Sequence, residues 1–337
     1  MPAASPVPPS LGLTGEQVAG VLTTAGRAPS LHNAQPWLFR VEPDVIELHA
    51  DPHRRLPVVD PEDREQRIAC GAALLTLRLA LHGHDIRPIV TLLPDPARPG
   101  LIAAVRHGGT RPATPEQQRL LRAVPLRRTN RHPFTDAAVT RQERYTLRRA
   151  ALDEGAWLHV VDDPGDRARV QRLAVLAHEQ QAADPEFLAE LRSWTGTGPG
   201  RHDGVPASSG GPQPAPQDRW VLRDFSAGTA PDRVPGKDFE QDPLIAVLTS
   251  HLSGPRAEVQ AGQALQRVLL AATADGLAAS FLSQIVEVPG PRDQLRMLIG
   301  ATRPPQVVLR VGRGWPVEAT PRLPVESLIM HEPSHPY

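Results

Sequence analysis

The chain has 337 residues, with 37 Lys+Arg against 37 Asp+Glu and 40% apolar side chains. That is ample for a sizeable core, and it leaves no net charge to draw the chain onto nucleic acid or anionic lipid. Cys70 is the only cysteine and Lys237 the only lysine. An intrachain disulfide, a thiolate metal cage and an iron–sulfur cluster are therefore excluded, and an anion site must be built from planar guanidinium forks.

Residues 1–12 are proline-rich and have neither a basic n-region nor an apolar h-region. They read as a disordered leader rather than a signal peptide. The first helix is predicted from about Thr14 to Arg27, with Thr14 and Gln17 at capping-box spacing and Val18, Val21 and Leu22 on its apolar face. A polar loop with two prolines, Pro29 to Trp37, follows, and Leu38–Glu42 and Val45–Ala50 read as a hairpin around Pro43-Asp44. A long helix is expected from about Pro61 to Gly83, capped by Asp60. The small side chains at its centre, Ala69 to Ala73, would let another helix approach closely. Ile86–Leu93 and Leu101–Arg106 read as strands.

A second helical entry begins at Thr114-Pro115-Glu116-Gln117, and Thr140 opens a further boxed helix to about Leu152. Trp157–Val161 reads as a strand, and Asp163-Pro164 opens a helix to about Ala182. Residues 195–236 are too rich in Gly and Pro for regular structure, and read as either a lid or a flexible insertion. Trp194, Trp220, Phe225 and Phe239 in or beside the segment favour the lid, because disordered linkers are poor in aromatics. Order resumes with a strand over Pro243–Thr249, a helix over Gln260–Ala274 ended by Gly276, a short helix over Pro291–Ile299 and a strand over Gln306–Val311. The apolar stretch Val268–Leu282 is broken by Asp275 and Gly276 and is too short to span a bilayer. The order helix, strands, long helix, strands recurs loosely on either side of about residue 115, which divides the chain into a first half, 13–115, and a second half, 116–337.

Three stretches carry candidate chemistry. Arg127-Arg128-Thr129-Asn130-Arg131 sets three guanidiniums among Thr and Asn donors, a composition suited to a phosphate monoester and equally to a solvated basic turn. Charged hydrogen bonds contribute roughly 1.5–3 kcal/mol each, so two or three would anchor a mononucleotide. Pro29-Ser30-Leu31-His32-Asn33-Ala34-Gln35-Pro36-Trp37 offers short donors and acceptors on a proline-stiffened backbone, suited to the edge of a flat heteroaromatic ring or to a polar loop capped by a core Trp37. In Asp275 to Gln284 a helix ends at glycine and small residues run toward a polar pair, which lets backbone amides reach a ligand. His49 and His53 do not share a helix face, and no metal site is expected. Cys70, within the small-residue helix, reads as buried and inert.

In this order and combination the segments resemble the nitroreductase superfamily of FMN oxidoreductases, and most closely its fused, single-chain, Acg-type FMN-binding branch. The resemblance covers nearly the whole chain after residue 12. Arg127, Arg128 and Arg131 match the family's Arg-Arg-Ser-x-Arg phosphate motif, with Thr129 in place of Ser. Pro29, Ser30, Asn33, Gln35, Pro36 and Trp37 match the loop that meets the flavin ring. Gly276-Leu277 matches a helix end that places Phe281, Leu282, Ser283 and Gln284 beside the ring, and Arg322 matches a late basic residue on the phosphate. Residues 194–196 and 203–206 resemble the lid of the Acg-type branch.

The resemblance implies an α+β fold of two fused halves forming an intrachain pseudo-dimer under a lid loop, with one composite FMN site between the halves. It implies a cytoplasmic oxidoreductase that transfers hydride through FMN, with NAD(P)H and a small molecule as partners and no catalytic side chain of its own. It involves neither nucleic acid nor membrane, and the protein is a monomer or homodimer. Two departures stand out: Lys237 is not placed like the family's flavin-side lysine, and Ser283 stands where the family has an acidic residue. With the lid closed, the alternative is a non-catalytic protein that sequesters FMN.

Overall fold

The computed structural model describes residues 7–198, 200–230, 233 and 242–330. Thr14 opens α1 (Gly15–Ala25) through a full capping box with Gln17, and Val18, Val21, Leu22 and Ala25 turn inward. β1 (Trp37–Glu42) and β2 (Val45–Ala50) form the predicted hairpin, with Trp37 opposite Ala50 and Glu42 opposite Val45. β3 (Ile86–Leu92) and β4 (Leu101–Thr110) complete a four-stranded antiparallel sheet of order β1-β2-β4-β3. Between the hairpin and β3 runs α2 (Arg64–His82).

Residues 7–12 correct the expected leader. Val7, Ser10 and Leu11 are buried, and Leu11 N–H donates to the Pro43 carbonyl at 2.8 Å, so the hairpin turn holds this segment in place. The start of α2 is also corrected, because Pro61 lies outside it. Asp63 takes a left-handed conformation (φ 56°), while the Asp60 carboxylate accepts the Gln66 N–H at 2.9 Å and so caps the first turn from the preceding loop.

The second sheet comes from later in the chain. α3 (Pro115–Ala123) and α4 (Arg141–Asp153) both start with the predicted capping boxes. β5 (Ala156–Val160), α5 (Pro164–Ala182) and α6 (Pro185–Trp194) follow, then a small parallel pair, β6 (Thr195–Thr197) and β7 (Val205–Pro206). β8 (Leu244–Ser250), α7 (Pro255–Ala274), β9 (Ala278–Phe281), α8 (Gln284–Glu287), α9 (Pro289–Leu298) and β10 (Pro305–Gly312) complete the order. The sheet runs β5-β8-β10-β9, all antiparallel. β8 and β10 are buried along their whole length, because helices cover both faces, and their near-continuous apolar sequence follows from that. α7 begins at Pro255, earlier than the predicted Gln260, since its first turn is polar while Pro255 occupies a helix-opening position. The small-residue run after Gly276 forms β9, which pairs with β10 at the edge of the sheet.

The centre of the molecule is the crossing of α2 and α7. A Cβ on Gly71 would lie 2.1 Å from the Val259 carbonyl oxygen, and one on Gly262 would lie 1.9 Å from the Ile68 carbonyl oxygen. Only glycine permits that approach, which is the role the small residues in α2 predict. Gln266 Nε2 donates to Thr76 Oγ1 at 2.9 Å within this dry contact. After β10 the chain returns to the first sheet, where Met330 N–H donates to the Phe39 carbonyl at 2.9 Å. That return carries Arg322 to the Pro29–Trp37 loop.

Candidate functional site

The cavity lies between the loop 29–37 and the edge of the second sheet. It holds about 940 Å³ free of protein atoms, its mouth included. Pro29, Ser30, Leu31 and His32 form one wall, and Ser280, Phe281, Leu282, Ser283 and Gln284 form another. Thr129 and Arg131 close one end. The three stretches singled out in the sequence therefore converge on one cavity. Arg127, Arg128 and Arg322 do not line it but gather beyond that end.

The loop 29–37 is shaped by its own backbone. His32, Asn33 and Gln35 all have positive φ, at 50°, 57° and 53°. Such conformations cost of order 1 kcal/mol or more for residues other than glycine, and they persist only where the surroundings enforce them. Ser30 Oγ accepts the Gln35 N–H at 2.9 Å. Asn33 and Gln35 do not line the cavity. Asn33 Nδ2 donates to the carbonyls of Gly204 and Pro321 at 2.9 and 3.0 Å, and its Oδ1 accepts from Arg322 at 2.8 Å. Gln35 Nε2 donates to the His202 carbonyl at 2.8 Å, and its Oε1 accepts the Leu323 N–H at 2.9 Å. These two amides fasten the loop to the segments at 202–204 and 321–323. Trp37 is fully buried.

The arginine run is pinned to β9, with Asn130 N–H donating to the Ala279 carbonyl at 2.9 Å. Arg127 is buried, and its guanidinium reaches the Arg27 carbonyl at 3.4 Å; Arg322 reaches the same carbonyl at 3.4 Å. Arg128 folds one nitrogen back onto the carbonyls of Pro125 and Arg127 at 2.8 and 2.9 Å. Arg131 donates to the Ser209 carbonyl at 2.8 Å, and its guanidinium lies 4.6 Å from the centre of the Phe225 ring. Burial, together with the neighbouring Arg127, Arg27 and Arg128, pulls Arg322 down to about 9. Burial and Arg128 pull Arg127 down to about 10, and burial with Arg223 and Arg127 does the same to Arg131. Among the described residues, no carboxylate contributes to any of the three shifts. The Nε atoms of Arg127 and Arg322 are buried without a partner. Guanidiniums held together at this cost, in a region short of negative charge, are the complement of an anion.

From the stretch after β7, Gly210, Trp220, Leu222, Arg223 and Phe225 line the cavity. Arg223 is buried and pairs with Glu287 and Gln181 at 2.8 and 2.7 Å. Burial pushes the Glu287 carboxyl up, but Arg223 and hydrogen bonds from Gln181 and Ser283 outweigh it and leave the group below its usual range. His32 faces Phe225 with ring centres 6.2 Å apart. Burial and Arg223 drive its imidazole down to about 3, so it is neutral at physiological pH.

Sequence reasoning missed Glu65, Arg223 and Arg310. Arg310 lines the cavity from β10, with its guanidinium 4.5 Å from the Phe134 ring centre and a hydrogen bond to the His132 carbonyl at 3.2 Å. A lone arginine inside Val307-Val308-Leu309-Arg310-Val311 was the signal available. Glu65 resembled an ordinary acidic first-turn residue. Arg223 sat in a segment without periodicity.

Lys237 and residues 231–232 and 234–241 fall outside the described residues. Among the described residues, no group of three or more His, Cys, Asp or Glu could hold a metal, and no helix is long and apolar enough to cross a membrane. Burial of Cys70 drives its thiol far above the usual range, which leaves it unreactive.

No family model matches the chain. It is 34% identical over 315 residues to a Mycobacterium tuberculosis (strain H37Rv) protein provisionally named NAD(P)H nitroreductase Rv3131, covering 92% of this chain and 88% of that one. It is 31% identical over 326 residues to the M. tuberculosis protein provisionally named NAD(P)H nitroreductase acg, covering 95% and 97%. The chain belongs to the nitroreductase family, and its fold is α+β. Solved structures similar to it include the Vibrio harveyi NADPH:FMN oxidoreductase complexed with NAD+, at 13% identity and a TM-score of 0.39, covering 65% of this chain and 79% of that one. A Desulfitobacterium hafniense nitroreductase with bound FMN matches at 12% identity and a TM-score of 0.40, covering 63% and 97%.

Proposed function

We propose that the chain is an FMN-dependent oxidoreductase that holds its flavin in this cavity and draws electrons from NAD(P)H. The observation that carries the reading is the gathering of Arg127, Arg128, Arg131 and Arg322, with no carboxylate shifting them among the described residues. Arg127, Arg128 and Arg322 would hold the phosphate, with Arg131 at the junction between phosphate and ring. Pro29, Ser30, Leu282, Ser283 and Gln284 would flank the ring. Asn33 and Gln35 act one step back, fastening the loop and orienting Arg322. In this reading residues 13–115 and 116–337 are two fused halves that build one composite site, and the segment over the cavity is its lid.

Bound there, the flavin would supply the hydride chemistry, and the protein would supply position, electrostatics and exclusion of water. Trp220 and Phe225 cover the cavity, and neutral His32 adds no charge to its wall. Arg310 brings a fixed positive charge to the cavity, where a reduced, anionic ring would need one. It thereby takes the part that the family gives to a lysine.

Arg128→Ala should lose most of the bound FMN on gel filtration while its far-UV circular dichroism is unchanged. Arg128 is half-exposed and bonds only to nearby backbone, so its removal spares the core. Flavin content equal to wild type would contradict the reading. Anaerobic NADPH should bleach the bound flavin; bleaching by dithionite alone would rule out that electron donor.

A further inference from the structure

We propose that Glu65 is the proton donor of this cavity, holding a proton on its carboxyl and delivering it to the acceptor after hydride transfer. The proposal rests on the flavin reading above, and it names a side-chain role that the reading lacks. Glu65 stands in the first turn of α2 and lines the cavity beside Ile68 and Ala69. It also lines a second hollow, shared with Asp60, Glu62 and Glu287. Glu62 and Pro61 on that hollow are exposed to solvent. Arg64 and Arg292 line that hollow too. One carboxyl thus stands between the cavity and a water-accessible, charged hollow, a position from which it can be reprotonated after each turnover.

Its surroundings keep it in place and keep its proton on. Arg64 hydrogen-bonds Glu65 Oε1, and the same guanidinium donates to the Gln306 carbonyl at 2.9 Å, which fixes the pair against β10. Arg64 is therefore a positioning residue. Burial raises the Glu65 carboxyl to about 7; Arg64 works against the shift, while Asp60, Glu287 and Glu258 add to it from the loop before α2, from α8 and from α7. Arg67 on the next turn is engaged by Glu258. Across the cavity, Arg131, Arg223 and Arg310 bring positive charge to the same lining. A carboxylic acid with a proton affinity near neutrality is matched to general-acid work at physiological pH.

The step balances. A quinone that receives a hydride from the reduced flavin becomes a hydroquinone monoanion. The Glu65 O–H bond breaks as the new phenol O–H bond forms, leaving hydroquinone and the Glu65 carboxylate. Water entering by the second hollow then restores the proton.

The test uses the full chain and two readouts. Carbon-13 NMR of glutamate-labelled protein without flavin should show one carboxyl titrating near pH 7, absent in Glu65→Gln and displaced in Glu65→Asp. Stopped-flow reoxidation of the reduced holoprotein by a benzoquinone should slow by up to tenfold per pH unit above that midpoint. In Glu65→Gln it should be independent of pH and about 100-fold slower at pH 6. A merely structural Glu65 would change flavin content without removing the pH dependence. The proposal is overturned if no carboxyl titrates between pH 6 and 8, if wild-type reoxidation is flat over that range, or if Glu65→Gln keeps the wild-type profile. The NMR readout does not need FMN, so a chain that fails to bind flavin would sink the functional reading and leave this titration to be read on its own.

Discussion

Arg322 is anchored by Asn33 Oδ1 and by Thr320 Oγ1 at 2.8 and 2.6 Å, yet its Nε has no partner and its neighbours are arginines. A residue in that setting stabilises the unliganded fold poorly, and the proposed phosphate would supply the charge it lacks. Glu65 shows the same tension with the opposite charge. Its folded-state pKa lies above the unfolded value, so between about pH 4.5 and 7 the native state holds a proton that the unfolded chain has released. Native stability therefore falls as pH rises through that window, by about 3 kcal/mol for this group. Glu65→Gln removes the loss. Its unfolding free energy relative to wild type should grow by that amount between pH 4 and 8 in urea titrations, and a constant difference would show that the carboxyl is not buried as described. At this scale the sequence was informative about residue type and silent about partners. The composition of the run 127–131 suggested an anion site, whereas nothing in the spacing said that the amides of Asn33 and Gln35 bond to 202–204 and 321–323.

Among the elements, the α2–α7 crossing decides how the cavity walls meet. α2 brings Glu65, Ile68 and Ala69 to the lining and α7 brings Leu265, so their separation sets the cavity's width. A methyl group on Gly262 would meet the Ile68 carbonyl, which belongs to the helix backbone and cannot step aside. Gly262→Ala should therefore destabilise the fold by about 2 kcal/mol or more, measured as a loss of thermal midpoint, and should weaken FMN binding even though Gly262 touches no ligand. An unchanged midpoint would mean that the helices have room to separate. The capped helices and the β1–β2 hairpin were legible because their signals are local: a Thr with a Gln or Glu at fixed spacing, and a Pro-Asp turn between apolar runs. β9 and the first turn of α7 were not. β9 is a four-residue edge strand made by its pairing with β10, and α7 opens on polar residues whose partners, such as Arg67 for Glu258, lie on another helix.

At the scale of the whole molecule, two antiparallel sheets formed from separate stretches of chain share one central helix crossing, and the C-terminal return ties them together. That return explains why Arg322, far away in sequence, sits beside the loop at 29–37. Residues 209–225 were harder to read, since single contacts hold them: Arg223 with Glu287, Arg131 with Ser209 and Phe225. Parallel titration of the flavin-free protein with FMN and with riboflavin, followed by flavin fluorescence, separates the phosphate cluster from the ring site. Two charged hydrogen bonds at roughly 1.5–3 kcal/mol each make FMN at least about 100-fold tighter; equal affinities for the two flavins would contradict an anion site at Arg127, Arg128 and Arg322.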